Sequence, residues 1–383
     1  MRIDLSFIAA GLVVGLVAFL TLAEVPHAVQ LPGQVEAAVA LAIDGDCVPA
    51  SAEDRAGQVL VVGMPDVVAP NHPLVADLID LQVGGVLIAK GNVRNAAQVR
   101  RLVSAMREGS SHPLLVTTDE EPGRVSNFGA VLGRFSSART LAKRGTPRDV
   151  ELFARQLGVE LANLGMDVDL GPVAGADDGA AQGRIGDRSF SGDPSVASDY
   201  ALAFSRGLWT GGVLPAPKYF PGTGRARTPE PGGLPVLDVS SRELRRHDLP
   251  PFRAQVRAGV RMMVVGHTVV TALDPDLPAS LSPSAYALLR GLGFTGVAVA
   301  DMLDHEGLHR RFDYREAVER AISAGADMVL VRDGGKARLM RDALVAAVRE
   351  GRLSDARLSE AAGRMLALKG LDAREMTCPS ALS

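Results

Sequence analysis

Eight short apolar runs alternate with amphipathic segments in this chain of 383 residues. They predict an α/β fold: a single (β/α)8 TIM-type barrel preceded by an N-terminal hydrophobic helix. The runs are rich in β-branched residues, as strands buried on both faces are. The segments between them show apolar residues at helical spacing, which suits the crossover helices that parallel strands require. A doubly wound open sheet has the same rhythm, but no Gly-rich dinucleotide fingerprint follows the first run, and the closed barrel is preferred.

Residues 7–20, FIAAGLVVGLVAFL, are uninterrupted apolar or Gly, with Arg2 as the only positive side chain before them. A run of this length suits a cleaved export signal and an uncleaved membrane anchor alike. Residues 1–24 are therefore expected to be signal peptide or anchor, 25–46 a linker and 47–383 the barrel domain. The protein is expected to be exported, either extracellular or held at the membrane through the uncleaved helix with the barrel outside the cytoplasm. The expected strands then occupy 58–64, 84–89, 113–119, 166–173, 213–220, 261–267, 296–301 and 326–332. Amphipathic helices are expected at 96–108, 147–165, 241–259 and 282–293. The two cysteines flank this array, Cys47 before the first element and Cys378 after the last. A barrel that brings its ends together places them within reach of a disulfide, and two unpaired thiols are the alternative. Cys47 is a poor lipid-attachment site, because acidic AIDGD precedes it where small and apolar residues belong.

Composition narrows the function. Lys and Arg total 41 against 44 Asp and Glu, with no long block of one sign, which argues against a nucleic-acid partner. Aromatic residues make up only 4%, with Trp209 the single tryptophan, too few for gripping a long polysaccharide by stacking. A small glycan fits better. No cysteine–histidine spacing of a zinc site, no P-loop and no Gly-x-Ser-x-Gly motif is present, so no metal or cofactor is expected. In a barrel of this class the active site lies where strands end. Polar residues gather at or near five such ends: Asp119 with Glu120 and Glu121, Asp167 with Asp169, Lys218 with Tyr219, His267 with Thr268, and Asp301. Paired carboxylates around a sugar are the chemistry that remains.

The stretch 218–235, KYFPGTGRARTPEPGGLP, resembles the KHFPGHG motif and the following Asp-Ser-His segment of family 3 glycoside hydrolases, in particular the compact bacterial β-N-acetylglucosaminidases. TTDEEPGRV (117–125), IGDRSFSGDP (185–194) and GFTGVAVADML (293–303) resemble further segments of that family, and the likeness extends over about residues 50–370. The resemblance implies a retaining β-N-acetylhexosaminidase that needs no metal or organic cofactor and acts on small glycans or peptidoglycan fragments. It implies Asp301 as the nucleophile. It also implies sugar-binding roles for Asp119, Arg188, Lys218 and His267, with Tyr219 at the same subsite. The departures fall on proton transfer. Pro229, Glu230 and Pro231 stand where the family carries Asp-Ser-His, and Tyr219 and Thr223 replace two further histidines. Glu230 is accordingly the expected replacement acid/base, reached by desolvation of the loop. Nearby Arg225 and Arg227 are expected to favour an anionic ligand. Glu120, Pro122 and Asn127 also depart from the family pattern. Two readings follow: a hydrolase with altered acid/base catalysis, or a non-catalytic glycan-binding descendant.

Overall fold

The computed structural model describes residues 51–177, 179 and 184–371. The N-terminal hydrophobic segment, the linker, Cys47 and Cys378 lie outside them. No helix among the described residues is long and apolar enough to cross a membrane.

Among the described residues eleven strands occur in chain order: β1 (Leu60–Gly63), β2 (Gly85–Ile88), β3 (Leu115–Thr118), β4 (Val168–Asp169), β5 (Leu214–Pro215), β6 (Lys218–Phe220), β7 (Val236–Leu237), β8 (Met262–Val265), β9 (Val269–Val270), β10 (Val297–Ala300) and β11 (Met328–Val331). Nine of them form one curled parallel sheet, ordered β5-β4-β3-β2-β1-β11-β10-β8-β6. Each of the eight expected runs contains a strand of this sheet.

The sheet's two end strands, β5 and β6, are successive pieces of one extended stretch. Leu214 and Ala216 donate to the carbonyls of Asp167 and Asp169 on one flank, each at 2.9 Å. On the other flank Pro217 accepts from Val264 at 2.9 Å and Phe220 from Gly266 at 3.0 Å. Pro217 has no N–H to give, and this is where the stretch changes from one neighbour to the other. The sheet thus curls until its ends meet in 214–220, consistent with the expected barrel. The remaining pair, β7 with β9, forms a small parallel ladder above it.

Alternation along the strands divides the core in two. Val61, Leu87, Leu115, Val168, Met262, Val264, Val297, Val299, Met328 and Leu330 form one buried cluster, joined by Met365 and Leu368 of the last helix. Their neighbours Leu60, Val62, Met263, Val265, Ala298, Ala300, Val329 and Val331 pack with the helices in a second cluster. Both faces are covered, which is why the strands read as continuous apolar runs.

The expected helix at 147–165 is Pro147–Asn163, started by a capping box in which Thr146 and Asp149 satisfy each other's amides. It lies against Pro194–Thr210 so closely that a Cβ on Gly207 would strike the Glu151 carbonyl oxygen. The expected helix at 241–259 is instead broken into Ser241–Glu243, a π-helical turn at Leu244–Asp248, and Pro250–Arg257. Pro250 and Pro251 supply no N–H to carbonyls of the preceding turn, so the α-helical ladder restarts there.

Candidate active site

The C-terminal ends of the sheet strands surround a cavity of about 630 Å³. Asp119 follows β3, Lys218 and Tyr219 lie on β6, His267 follows β8, Asp301 follows β10 and Arg332 follows β11, and all of them line it. Arg188 reaches the same cavity from a short 3₁₀ turn, Gly186–Arg188. Asp177 fixes that turn by accepting from the Gly186 amide at 2.7 Å, and Arg124 donates to the Ile185 carbonyl at 2.7 Å.

Four charges form the floor. Lys218 Nζ lies 2.5 Å from Asp119 Oδ1 and 2.6 Å from Glu121 Oε1. Arg188 grips Glu121 with two bonds, Nε to Oε2 at 2.8 Å and Nη2 to Oε1 at 2.6 Å. The same Nη2 donates to the Tyr219 hydroxyl at 2.8 Å, so that hydroxyl keeps its own proton for a ligand. Burial pushes the Glu121 carboxyl up, but Lys218 and Arg188 outweigh it and hold it at about 2. Asp119 is pushed up by burial and by Glu121, against the pull of Lys218, because the two carboxylates share that cation. Glu121 is only 2% exposed. It organises the two cations, leaving Asp119, which is partly exposed to the cavity, as the carboxylate a ligand can reach.

Glu121 was not singled out for a role in the sequence. The signal available was the acidic run Asp119-Glu120-Glu121 at a strand end, which does not say which carboxylate faces where. Glu120 proves to be a loop staple: it accepts from the Ser126 hydroxyl at 2.7 Å and from the amides of Asn127 and Phe128 at 2.6 and 2.8 Å. Asp169 is fully buried, with Oδ1 accepting from the Glu120 amide at 2.9 Å, and burial pushes its carboxyl well above the usual range. Asp167 is turned the other way, toward Arg107 at 2.7 Å.

Asp301 lines the same cavity as this cluster. It is half-buried, and Oδ1 accepts from the Met302 amide at 2.9 Å. His267 holds the same turn: Nε2 lies 2.8 Å from the Met302 carbonyl, and Nδ1 lies 2.7 Å from Ser280 Oγ. A carbonyl can only accept, so Nε2 donates and Nδ1 accepts the serine proton. Both ring nitrogens are therefore occupied by protein, and His267 orients the segment that bears Asp301.

The loop that replaces the expected acid/base segment behaves differently from the sequence expectation. Glu230 is exposed and is not among the residues lining the cavity, whereas Gly232 and Gly233 are. Arg310 holds the loop down by donating to the Pro231 carbonyl at 3.0 Å while pairing with Glu306 at 2.7 Å. A carboxylate on the solvent side of a pinned loop lacks the desolvation that the expected role required. Arg225 is turned to Asp248, 2.5 Å away, and neither it nor exposed Arg227 lines the cavity. The cavity's additional cations are Arg184 and Arg332.

Comparison with known proteins agrees with this architecture. The model of the glycosyl hydrolase family 3 N-terminal domain matches residues 51–368. The β-hexosaminidase LpqI of Mycobacterium tuberculosis is 35% identical over 331 residues, covering 84% of this chain and 83% of that protein. A β-hexosaminidase of Pseudomonas aeruginosa is 33% identical over 267 residues, covering 69% and 79%. Among solved structures, that of M. tuberculosis LpqI superposes with a TM-score of 0.78 at 32% identity, covering 85% of this chain and 98% of the other. A family 3 β-N-acetylglucosaminidase from Paenibacillus superposes with a TM-score of 0.79 at 28% identity, covering 87% and 64%. The match spans nearly all the described residues and includes every strand that contributes to the cavity, and the chain belongs to glycosyl hydrolase family 3.

Proposed function

We propose that this protein is an exported retaining glycoside hydrolase that removes terminal β-linked N-acetylglucosamine from small glycans or peptidoglycan fragments, with proton delivery altered from the family pattern. The observation that carries this reading is the placement of Asp301 in one cavity with the Asp119, Lys218 and Arg188 cluster. A fixed carboxylate facing a set of hydrogen-bonding charges is what covalent catalysis at an anomeric carbon requires. Asp119 accepts from sugar hydroxyls while Lys218, Arg188 and the Tyr219 hydroxyl donate to them. Asp301 attacks C1 to form a glycosyl-enzyme, which water then hydrolyses.

The relatives named as β-hexosaminidases support the sugar class, and the N-terminal apolar run supports export. Disruption of the acid/base loop favours substrates whose leaving groups need little protonation. One observation supports a second reading, a glycan-binding protein without turnover: exposed Glu230 supplies no acid to the cavity. Hydrolysis of 2,4-dinitrophenyl N-acetyl-β-glucosaminide, with trapping of the intermediate by a fluorosugar and mass spectrometry, separates the two. A covalent adduct on Asp301 supports the hydrolase, whereas tight sugar binding with neither adduct nor turnover supports the binding protein.

A further inference from the structure

His305 lines the same cavity as Asp301, four residues further along the chain. Its ring is half-buried, and its centroid lies 5.4 Å from that of His267. Nδ1 accepts from the Gly307 amide at 3.2 Å, which fixes the tautomer: the proton of the neutral ring sits on Nε2. Nε2 takes no hydrogen-bond partner among the described residues. The groups that act on this ring are His267 and Arg184, which oppose a positive charge, and Asp301 and Glu306, which favour one. Burial is the largest influence, and together these hold His305 below its ordinary value, in the neutral form.

The remodelled loop packs on the turn that carries this histidine. A Cβ on Gly307 would lie 2.8 Å from the Gly233 carbonyl carbon and 3.0 Å from the Gly232 oxygen, so the glycine pair rests directly on the turn that carries His305. The Arg310 bridge to Pro231 and Glu306 clamps the two together. Loop and turn are one rim. Of this rim's titratable residues, Asp304, His305 and Glu306 line the cavity and Glu230 does not; Asp304 accepts from the Arg332 amide at 3.1 Å and Glu306 pairs with Arg310, which leaves His305 as the donor.

We propose that His305 is the leaving-group residue of this site, a neutral imidazole whose Nε2–H donates a hydrogen bond to the glycosidic oxygen while Asp301 attacks C1. The proposal rests on the hydrolase reading above. As the Asp301 carboxylate forms its bond to C1, the C1–O bond breaks and its electron pair moves onto the departing oxygen. The hydrogen bond from Nε2 stabilises that negative charge, and the departing oxyanion takes its proton from water. Water then adds to C1 as the ester bond to Asp301 breaks, its proton passing to solvent. A donor that stabilises charge without transferring its proton contributes about 10²–10³-fold, and its contribution grows with the basicity of the leaving group.

The test is a series of aryl N-acetyl-β-glucosaminides, from 2,4-dinitrophenyl to 4-methoxyphenyl, with wild type, His305→Ala, His305→Gln and Glu230→Gln. For His305→Ala the loss in kcat/KM is expected to deepen along the series, from under about tenfold to about 10²-fold, with a steeper dependence on leaving-group pKa. His305→Gln, whose amide still donates, is expected to recover most of that loss. A loss in His305→Ala that is uniform across the series overturns the proposal and leaves the hydrolase reading standing. A greater loss in Glu230→Gln than in His305→Ala on the poorest leaving group also overturns it. If wild type hydrolyses none of the series, both readings fall together.

Discussion

Asp301 and Lys218 make the sharpest demands at the scale of single residues. Replacing Asp301 with Asn keeps the shape and removes the nucleophile, and kcat for an activated aryl glycoside is expected to fall by about 10³-fold or more, with loss of fluorosugar labelling. Lys218 is fully buried between two carboxylates. Lys218→Met leaves Asp119 and Glu121 without their shared cation and is expected to cost about 3–5 kcal/mol in urea denaturation at neutral pH. The cost depends on pH with a definite sign. Glu121 sits at about 2 in the folded protein against an ordinary 4.5. Its stabilisation by Lys218 is present above pH 4.5 and is lost as the pH falls toward 2. The stability difference between wild type and Lys218→Met is therefore expected to shrink across that window. Asp119 and Asp169 are pushed up by burial but are also pulled down by Lys218, so its removal raises both further and adds to the same difference, which likewise shrinks as they take up protons on acidification.

At the scale of elements, the decisive contact is that between the 229–235 loop and the turn that opens the short helix Glu306–His309. Gly307→Ala places a methyl against loop backbone that has no flexible end to move aside. Overpacking of this kind costs about 1–3 kcal/mol. The variant is expected to melt several degrees lower, and limited proteolysis is expected to cut the loop near Pro229–Pro231 faster. If melting and cleavage are both unchanged, the loop does not rest on this turn. The eight strand runs were legible in the sequence because both sheet faces are covered and most strand positions are apolar. The break in the 241–259 helix was announced by its two prolines yet concealed by an otherwise helical pattern. The direction of Glu230 was not legible, because it depends on Arg310, some eighty positions further on.

For the whole molecule, the two cysteines lie at opposite ends of the folded chain in sequence, and parallel strands with crossover helices return the last element to the first. The contacts at that seam include Arg55 with Asp355 at 2.8 Å and Lys369 with Gln58 at 2.8 Å. A Cys47–Cys378 bridge made in an oxidising compartment would close a very long loop, worth about 6 kcal/mol by chain entropy. Thiol titration of the exported protein, denatured without reductant, is expected to find no free thiol, and reduction is expected to lower its melting temperature. The sequence by itself determined the fold class, the family and the set of polar residues at strand ends, because periodicity and motif spacing are local properties of the chain. Only the tertiary structure decided which of these residues share the cavity, that Glu121 binds the two cations, that His267 has both nitrogens engaged, and that the rim presents His305 in place of Glu230. Each of those outcomes depends on contacts between segments far apart in the chain, and such contacts alone set burial, tautomer and the balance of charge.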